Sequence, residues 1–286
     1  MYRVIDTRFN RQNSPLCLLA KSLTCTVLNL QETLSKLNPI SLQEIEGAKL
    51  MNRLDQKFLI RRNWIPSLLE DCKDFYRVLE VEGLRKSAYQ NRFIETPAYA
   101  SLNAHTRGRK IRFKARIRQY ASNSKSFLEV KEKTVQGLTL KSRLEREVNE
   151  SNGAALTERE AEFLRLNYGY PGPELTHITC GFNRITLVSN EREERITLDT
   201  DILFKSETSQ EGLGELAIME VKQAEINRFS PFLQAMEAYR FEHTPLGRRT
   251  SMSKYVVGTL LLNPNLAART YRSTLKQIER LRKTLH

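Results

Sequence analysis

Cysteine is scarce in this chain. Four occur in 286 residues, Cys17, Cys25, Cys72 and Cys180, and no two form a Cys-x-x-Cys pair. That excludes a zinc ribbon and a disulfide framework and leads us to expect a reducing, cytoplasmic setting. Long apolar runs are lacking as well: Leu16 to Ala20 and Val256 to Leu262 fall far short of the roughly 18 residues that a spanning helix requires. No Ser-His-Asp or Cys-His set stands out, so no nucleophile or general base of that kind is expected. Acidic residues are outnumbered, 33 Asp and Glu against 46 Lys and Arg, for a formal charge of +13. Such an excess favours an acidic partner: nucleic acid, an anionic membrane or a phosphorylated metabolite.

What is present is a pattern. From Arg112 to Arg118 a basic residue fills every second position, with Ile111, Phe113, Ala115 and Ile117 at the alternate ones. In a strand this period places Arg112, Lys114, Arg116 and Arg118 on one face, about 7 Å apart. Like charges so arranged repel and gain nothing from water alone, so a polyanion is expected against that face.

Similar segments recur. Alternating or strand-like stretches cover Leu50 to Ile60, Tyr76 to Val81, Ala88 to Glu95, Lys110 to Tyr120, Ser126 to Thr134, Leu138 to Val148, Thr176 to Ser189, Arg195 to Phe204, Glu215 to Gln223 and Lys254 to Leu262. Helices are expected at Leu42 to Ala48, where Ser41 and Glu44 form a capping box, and at Glu158 to Asn167, where Thr157 and Glu160 form another. Others cover Ile65 to Phe75, Pro231 to Phe241 and an amphipathic C-terminal segment. The pattern predicts an α+β fold, a closed antiparallel eight-stranded β-barrel with a polar, basic interior and helices packed outside. Arg3, Arg8 and Arg11 before an apolar stretch faintly suggest a leader, but Lys21 interrupts it. We expect residues 1–38 to be a loosely ordered extension and 39–286 a single domain.

The charged faces share a signature. Glu129, Lys131 and Lys133 alternate on one strand, Lys141 and Arg143 on the next, and Arg184, Arg195, and Glu220 with Lys222 stand on later ones. Burying so many cations in a barrel costs several kcal/mol per ion unless counter-charge enters, and a bound polyphosphate supplies it. Arg offers a planar fork and Lys a point charge to phosphoryl oxygens.

The order of motifs, Arg53-x-Asp55-x-Lys57, Arg112-x-Lys114-x-Arg116-x-Arg118-x-Tyr120, Glu129-x-Lys131, Lys141-x-Arg143, Phe182-x-Arg184, Arg195-x-x-x-Asp199, Glu220-x-Lys222 and Ser253-Lys254-Tyr255, resembles the VTC domain. That domain is the polyphosphate polymerase module of the triphosphate tunnel metalloenzyme (CYTH-like) superfamily, and the resemblance is to its stand-alone bacterial type. The resemblance implies transfer of the γ-phosphate of ATP to a growing inorganic polyphosphate chain, with Mn²⁺ or Mg²⁺. By position it implies that Lys57, Lys114, Arg116, Arg118, Lys131, Lys141, Arg143, Arg184, Arg195, Ser253 and Lys254 bind phosphate. Arg116, Arg118, Lys131 and Lys254 would act in catalysis, and Glu220 would hold the metal. Two departures stand out: Phe182 replaces a common tyrosine, and Glu95-Thr96 replaces Asp-Thr. His105 matches a position near the tunnel rim.

Rival readings are an inorganic or organic triphosphatase of the same superfamily, a catalytically silent polyphosphate-binding protein and a nucleic-acid-binding sheet. Triphosphatases open with Glu-x-Glu-x-Lys, where this chain has Arg53-x-Asp55-x-Lys57. Nucleic-acid-binding sheets interleave aromatics for base stacking, whereas only Phe113 does so here, so no nucleic-acid partner is expected. No transmembrane segment is expected; a peripheral membrane or membrane-protein partner for the basic C-terminal helix stays open.

Overall fold

The computed structural model of the protein describes residues 28–47, 54–146, 156–169, 175–227, 229–242, 246–266 and 268–283. Arg53, Cys17, Cys25 and most of the expected extension lie outside them. A helix α1 (Leu30–Ser35), capped by the Asn29 side chain, leads into β1 (Asn38–Ile40) and α2 (Leu42–Gly47). The expected Ser41–Glu44 box is formed, with Ser41 donating its N–H to Glu44 at 2.9 Å and accepting from the Glu44 amide at 3.3 Å.

The sheet that follows contains β2 (Leu54–Arg61), β3 (Tyr76–Leu79), β4 (Ser87–Glu95), β5 (Arg112–Tyr120), β6 (Ser126–Lys133), β7 (Thr139–Arg146), β8 (Leu175–Ser189), β9 (Glu194–Lys205), β10 (Gln210–Gly212) and β11 (Leu216–Gln223). Between its strands stand α3 (Ile65–Cys72), α4 (Ala100–Thr106) and α5 (Glu158–Tyr168), and after it come α6 (Pro231–Glu242), α7 (Lys254–Leu262) and α8 (Arg272–Lys283). The second expected capping box, Thr157 with Glu160, starts α5. Among the described residues no helix is long and apolar enough to cross a membrane.

The expected closed eight-stranded barrel is not what forms. Eleven strands make one open sheet, whose main path runs β2-β11-β9-β8-β4-β5-β6-β7, with β1, β3 and β10 attached at the side. Every pair on that path is antiparallel, as expected, but the sheet does not close. The missing closure has a local cause at β2. Its free edge is taken by the segment before α7: Gly247 donates to the Leu59 carbonyl at 2.9 Å and Thr250 to that of Lys57 at 2.7 Å. A loop thus satisfies the ladder positions that a closing strand would fill.

Lys254–Leu262, expected as a strand, is the helix α7. Tyr255 to Leu260 are all buried, and a short run that is apolar all round carries no period by which strand and helix can be told apart.

Alternation assigns the two faces. Ala115, Ile117, Leu128 and Val130 point to one side, where Leu164 and Tyr168 of α5 cover them. Farther along, Ile60, Ile185, Leu187, Ile196 and Val221 are buried in the main core with Leu68 and Leu69 of α3 and Phe232 and Met236 of α6. The other face carries the charge.

Candidate functional site

Residues directly opposite in a ladder share a face, so the register can be followed across the sheet. Asp55 and Lys57 of β2 stand opposite Lys222 and Glu220 of β11, which stand opposite Arg195 and Thr197 of β9. Asp199 is opposite Arg184 of β8, and Phe182 is opposite Tyr89 of β4, which is opposite Tyr120 of β5. Lys114, Arg116 and Arg118 of β5 then face Lys131, Glu129 and Phe127 of β6, which face Lys141, Arg143 and Glu145 of β7. Between Gly181 and Asn183 the register slips, so that Asp201 and Ile202 bulge against Phe182 and Asp201 takes φ 54°.

This face is concave. Four strands separate β2 from β5 and β11 from β6 in the sheet order, yet Lys57 acts electrostatically on Lys114, and Lys222 on Lys131. The floor of the trough is stopped at one end by α7. Tyr255 packs on Phe93, with ring centroids 5.2 Å apart, and Gly258 lies against Phe204. A Cβ at Gly258 would meet the Phe204 ring at 2.4 Å, so only glycine lets the helix approach this closely. The start of α7 enters the trough: Ser253 Oγ accepts from Lys114 Nζ at 3.1 Å, and Lys254 Nζ pairs with Asp199. The helix N-terminus adds its own partial positive charge there.

Three buried or nearly buried carboxylates organise the cations, each taking two. Asp199 holds Arg184 through two bonds of 2.6 and 2.7 Å, and also Lys254. Glu129 holds Arg116 at 2.6 and 2.8 Å and Lys141 at 3.0 Å. Glu220 holds Lys57 at 2.8 Å and Lys222 at 3.4 Å. Aromatic rings carry others: Arg118 and Arg184 lie 5.6 and 5.2 Å from the Tyr89 centroid, Arg143 is 4.6 Å from that of Phe127, and Lys254 is 4.6 Å from that of Phe182. Phe182 stacks on Tyr89 at 5.3 Å, so the ring matters at this position even without a hydroxyl.

The field of the face is visible in its titrations. Burial, together with Lys57, Arg112 and Arg116, pushes the Lys114 ammonium down to about 7. Arg116, burial and Arg118 hold Lys131 well below the usual lysine range. Burial resists charge on Asp199, but Arg184 and Lys254 outweigh it and hold the carboxyl at about 2. Burial likewise opposes Glu129, and Arg116, Arg118 and Lys141 together keep it ionised well below the carboxylate range. His105 in α4 is pushed down to about 3 by burial and by Lys114, Arg112 and Lys133, so it stands neutral at physiological pH.

Lys57, Lys114, Arg116, Arg118, Lys131, Lys141, Arg143, Arg184, Glu220, Ser253 and Lys254 are thus brought to one face. Arg195 shares the face by register, but its guanidinium donates to the Ile45 carbonyl at 3.2 Å, toward α2. Sequence reasoning gave no role to Asp199, Glu129, Lys222 or Tyr89. The first three lay inside quoted motifs, and the signal was an acid at the same alternate phase as the cations. Asp199, Glu129 and Glu220 are fewer than the cations around them, but each serves two.

The donors for a metal can be tested on the same residues. Glu220 is one carboxylate with both oxygens engaged by lysines, and among the described residues no group of three or more His, Cys, Asp or Glu could hold an ion. A protein-only cage does not fit. A divalent ion sharing one carboxylate with substrate phosphates does.

Antiparallel strands lined with cations, and the start of a helix that enters among them, together make up this face. Residues 52–168, from just before β2 through α5, match the VTC domain. No curated protein matches the chain. Among solved structures it is similar to the PH1819 protein of Pyrococcus horikoshii OT3, at 13% identity and TM-score 0.41, covering 74% of this chain and 99% of that one. It is also similar to bh2851 of Bacillus halodurans, at 12% and 0.43 over 71% and 94%, and to HpAC1 of Hippeastrum, described as having a dominant triphosphatase activity, at 17% and 0.38 over 72% and 95%.

Proposed function

We propose that the protein is a polyphosphate polymerase that transfers the γ-phosphate of ATP to a growing inorganic polyphosphate chain lying in the trough. The single observation that carries this reading is the pair Lys114 and Lys131. They stand side by side across β5 and β6; burial and then Lys57, Arg112 and Arg116 depress Lys114, and Arg116, burial and Arg118 depress Lys131. A face that holds lysines against their own charge is built for an anion of several charges, which relieves the repulsion when it enters.

Phosphoryl transfer needs alignment and neutralisation of spreading charge more than covalent help. Arg116, Arg118, Lys131 and Lys254 would neutralise the transferring group. Lys57, Lys114, Lys141, Arg143, Arg184 and Ser253 would hold the rest of the chain, with Arg195 toward α2. Glu220 would hold Mn²⁺ or Mg²⁺ jointly with substrate phosphates, and the ion would supply further charge neutralisation. Asp199 and Glu129 are each committed to two cations, and His105 is buried and neutral. None of them is placed to activate water, which favours an anionic phosphate acceptor over hydrolysis. Buried thiols at Cys72 and Cys180 accord with a cytoplasmic setting.

Incubation with ATP and Mn²⁺ tests the reading. A ladder of long polyphosphate on a gel supports it; free phosphate without polymer assigns the chain to the triphosphatases. RNA binding that tripolyphosphate fails to displace would assign it to nucleic acid instead.

A further inference from the structure

Glu95 ends β4 with its side chain wholly buried. Its carboxylate accepts the backbone N–H groups of Thr96 at 2.7 Å, Ser101 at 3.1 Å and Leu102 at 2.9 Å, which ties it to the start of α4. The Tyr255 hydroxyl donates to the same carboxylate. Burial, and then Glu95 itself, pushes the Tyr255 phenol far above its ordinary range, so the hydroxyl stays a donor at every working pH.

Tyr255 is the residue after Lys254. Successive residues on a helix project about 100° apart, so fixing the Tyr255 hydroxyl fixes the rotation of the first turn of α7 about its axis. Packing of Gly258 on Phe204 contributes to that setting, and the hydroxyl adds a directional hydrogen bond among the buried apolar side chains of Val256, Val257 and Leu260. The turn so fixed carries Lys254 onto Asp199 and over Phe182, and Ser253 to Lys114.

We propose that Glu95 and Tyr255 are positioning residues that set the direction of Lys254, and with it the closed end of the phosphate trough. The inference rests on the reading of the trough as a phosphate-chain site, and not on whether the reaction is synthesis or hydrolysis.

A double-mutant cycle on tripolyphosphate affinity, measured by titration calorimetry, tests it with wild type, Tyr255→Phe, Lys254→Met and the double variant. Tyr255→Phe keeps the ring on Phe93 and should weaken binding about fivefold, because a small misplacement of a charged group is costly. Lys254→Met should weaken it about tenfold, and the double variant should match Lys254→Met within about twofold. A merely structural hydroxyl would lower the melting temperature in both backgrounds and leave no such coupling. Wild-type affinity in Tyr255→Phe, or an undiminished loss in the Lys254→Met background, would overturn the positioning role while leaving the phosphate site standing. A wild-type protein that binds no tripolyphosphate would overturn both.

Discussion

Arg116 and Glu129 face each other across β5 and β6, with two guanidinium nitrogens at 2.6 and 2.8 Å from one oxygen of a carboxylate that is 0% exposed. Two residues along β5, Arg118 makes no ion pair among the described residues. It donates to the Asn91 side-chain oxygen at 3.0 Å and rests on the Tyr89 and Tyr120 rings. The two neighbours, alike in sequence, therefore differ in what their removal does.

Arg118→Leu should leave the melting temperature at or above that of wild type, because it removes a like charge that bears on both Lys131 and Arg116. Tripolyphosphate affinity should fall at least about tenfold, the effect of one lost charge-assisted contact. Arg116→Leu should lower stability by on the order of 3 kcal/mol, since Glu129 is left buried with Lys141 alone. Urea unfolding of the two variants separates them. Equal losses of stability would contradict the distinction.

Lys114 makes the site sensitive to pH, and the sign follows from its depression. Its folded-state value of about 7 lies below the 10.5 of the unfolded chain. Below pH 7 both states hold the proton. Between about 7 and 10.5 the unfolded state holds more, so this residue's contribution to stability rises with pH across that window. A bound phosphate chain restores the proton. Calorimetry in buffers of different ionisation enthalpy should therefore find more proton uptake on tripolyphosphate binding at pH 8 for wild type than for Lys114→Met, with the difference vanishing near pH 6. An equal uptake at pH 8 would refute the depressed lysine.

Much of this was legible in the chain. The alternating Arg112 to Tyr120 run set both the strand and its charged face, since period 2 leaves one assignment once Ala115 and Ile117 must be buried. Both capping boxes were readable because their chemistry is local. Closure was not, since it depends on which chain segment reaches the edge of β2, and Gly247 and Thr250 carry no pattern that announces it. Nor was the α7 helix, whose apolar run fits either element. The roles of Asp199 and Glu129 needed the register, because an acid between cations reads in sequence as ordinary charge mixing.

The close approach of α7 to the sheet at Gly258 gives a packing test. Gly258→Ala places a methyl 2.4 Å from the Phe204 ring and should cost about 1–3 kcal/mol by overpacking. Thermal melts should find that loss, and Phe204→Leu in the same chain should recover part of it. A Gly258→Ala protein as stable as wild type would mean that α7 does not sit against β9 as described.

The central claim is that cations from separate strands converge on one concave face to hold a chain of phosphates. The most direct measurement is a crystal structure with bound tripolyphosphate. We expect its phosphoryl groups between Lys114, Arg116, Arg118 and Lys131 on one wall and Lys57, Arg184 and Lys254 on the other. Tripolyphosphate bound outside the trough, with those side chains still paired only to Asp199, Glu129 and Glu220, would contradict the claim.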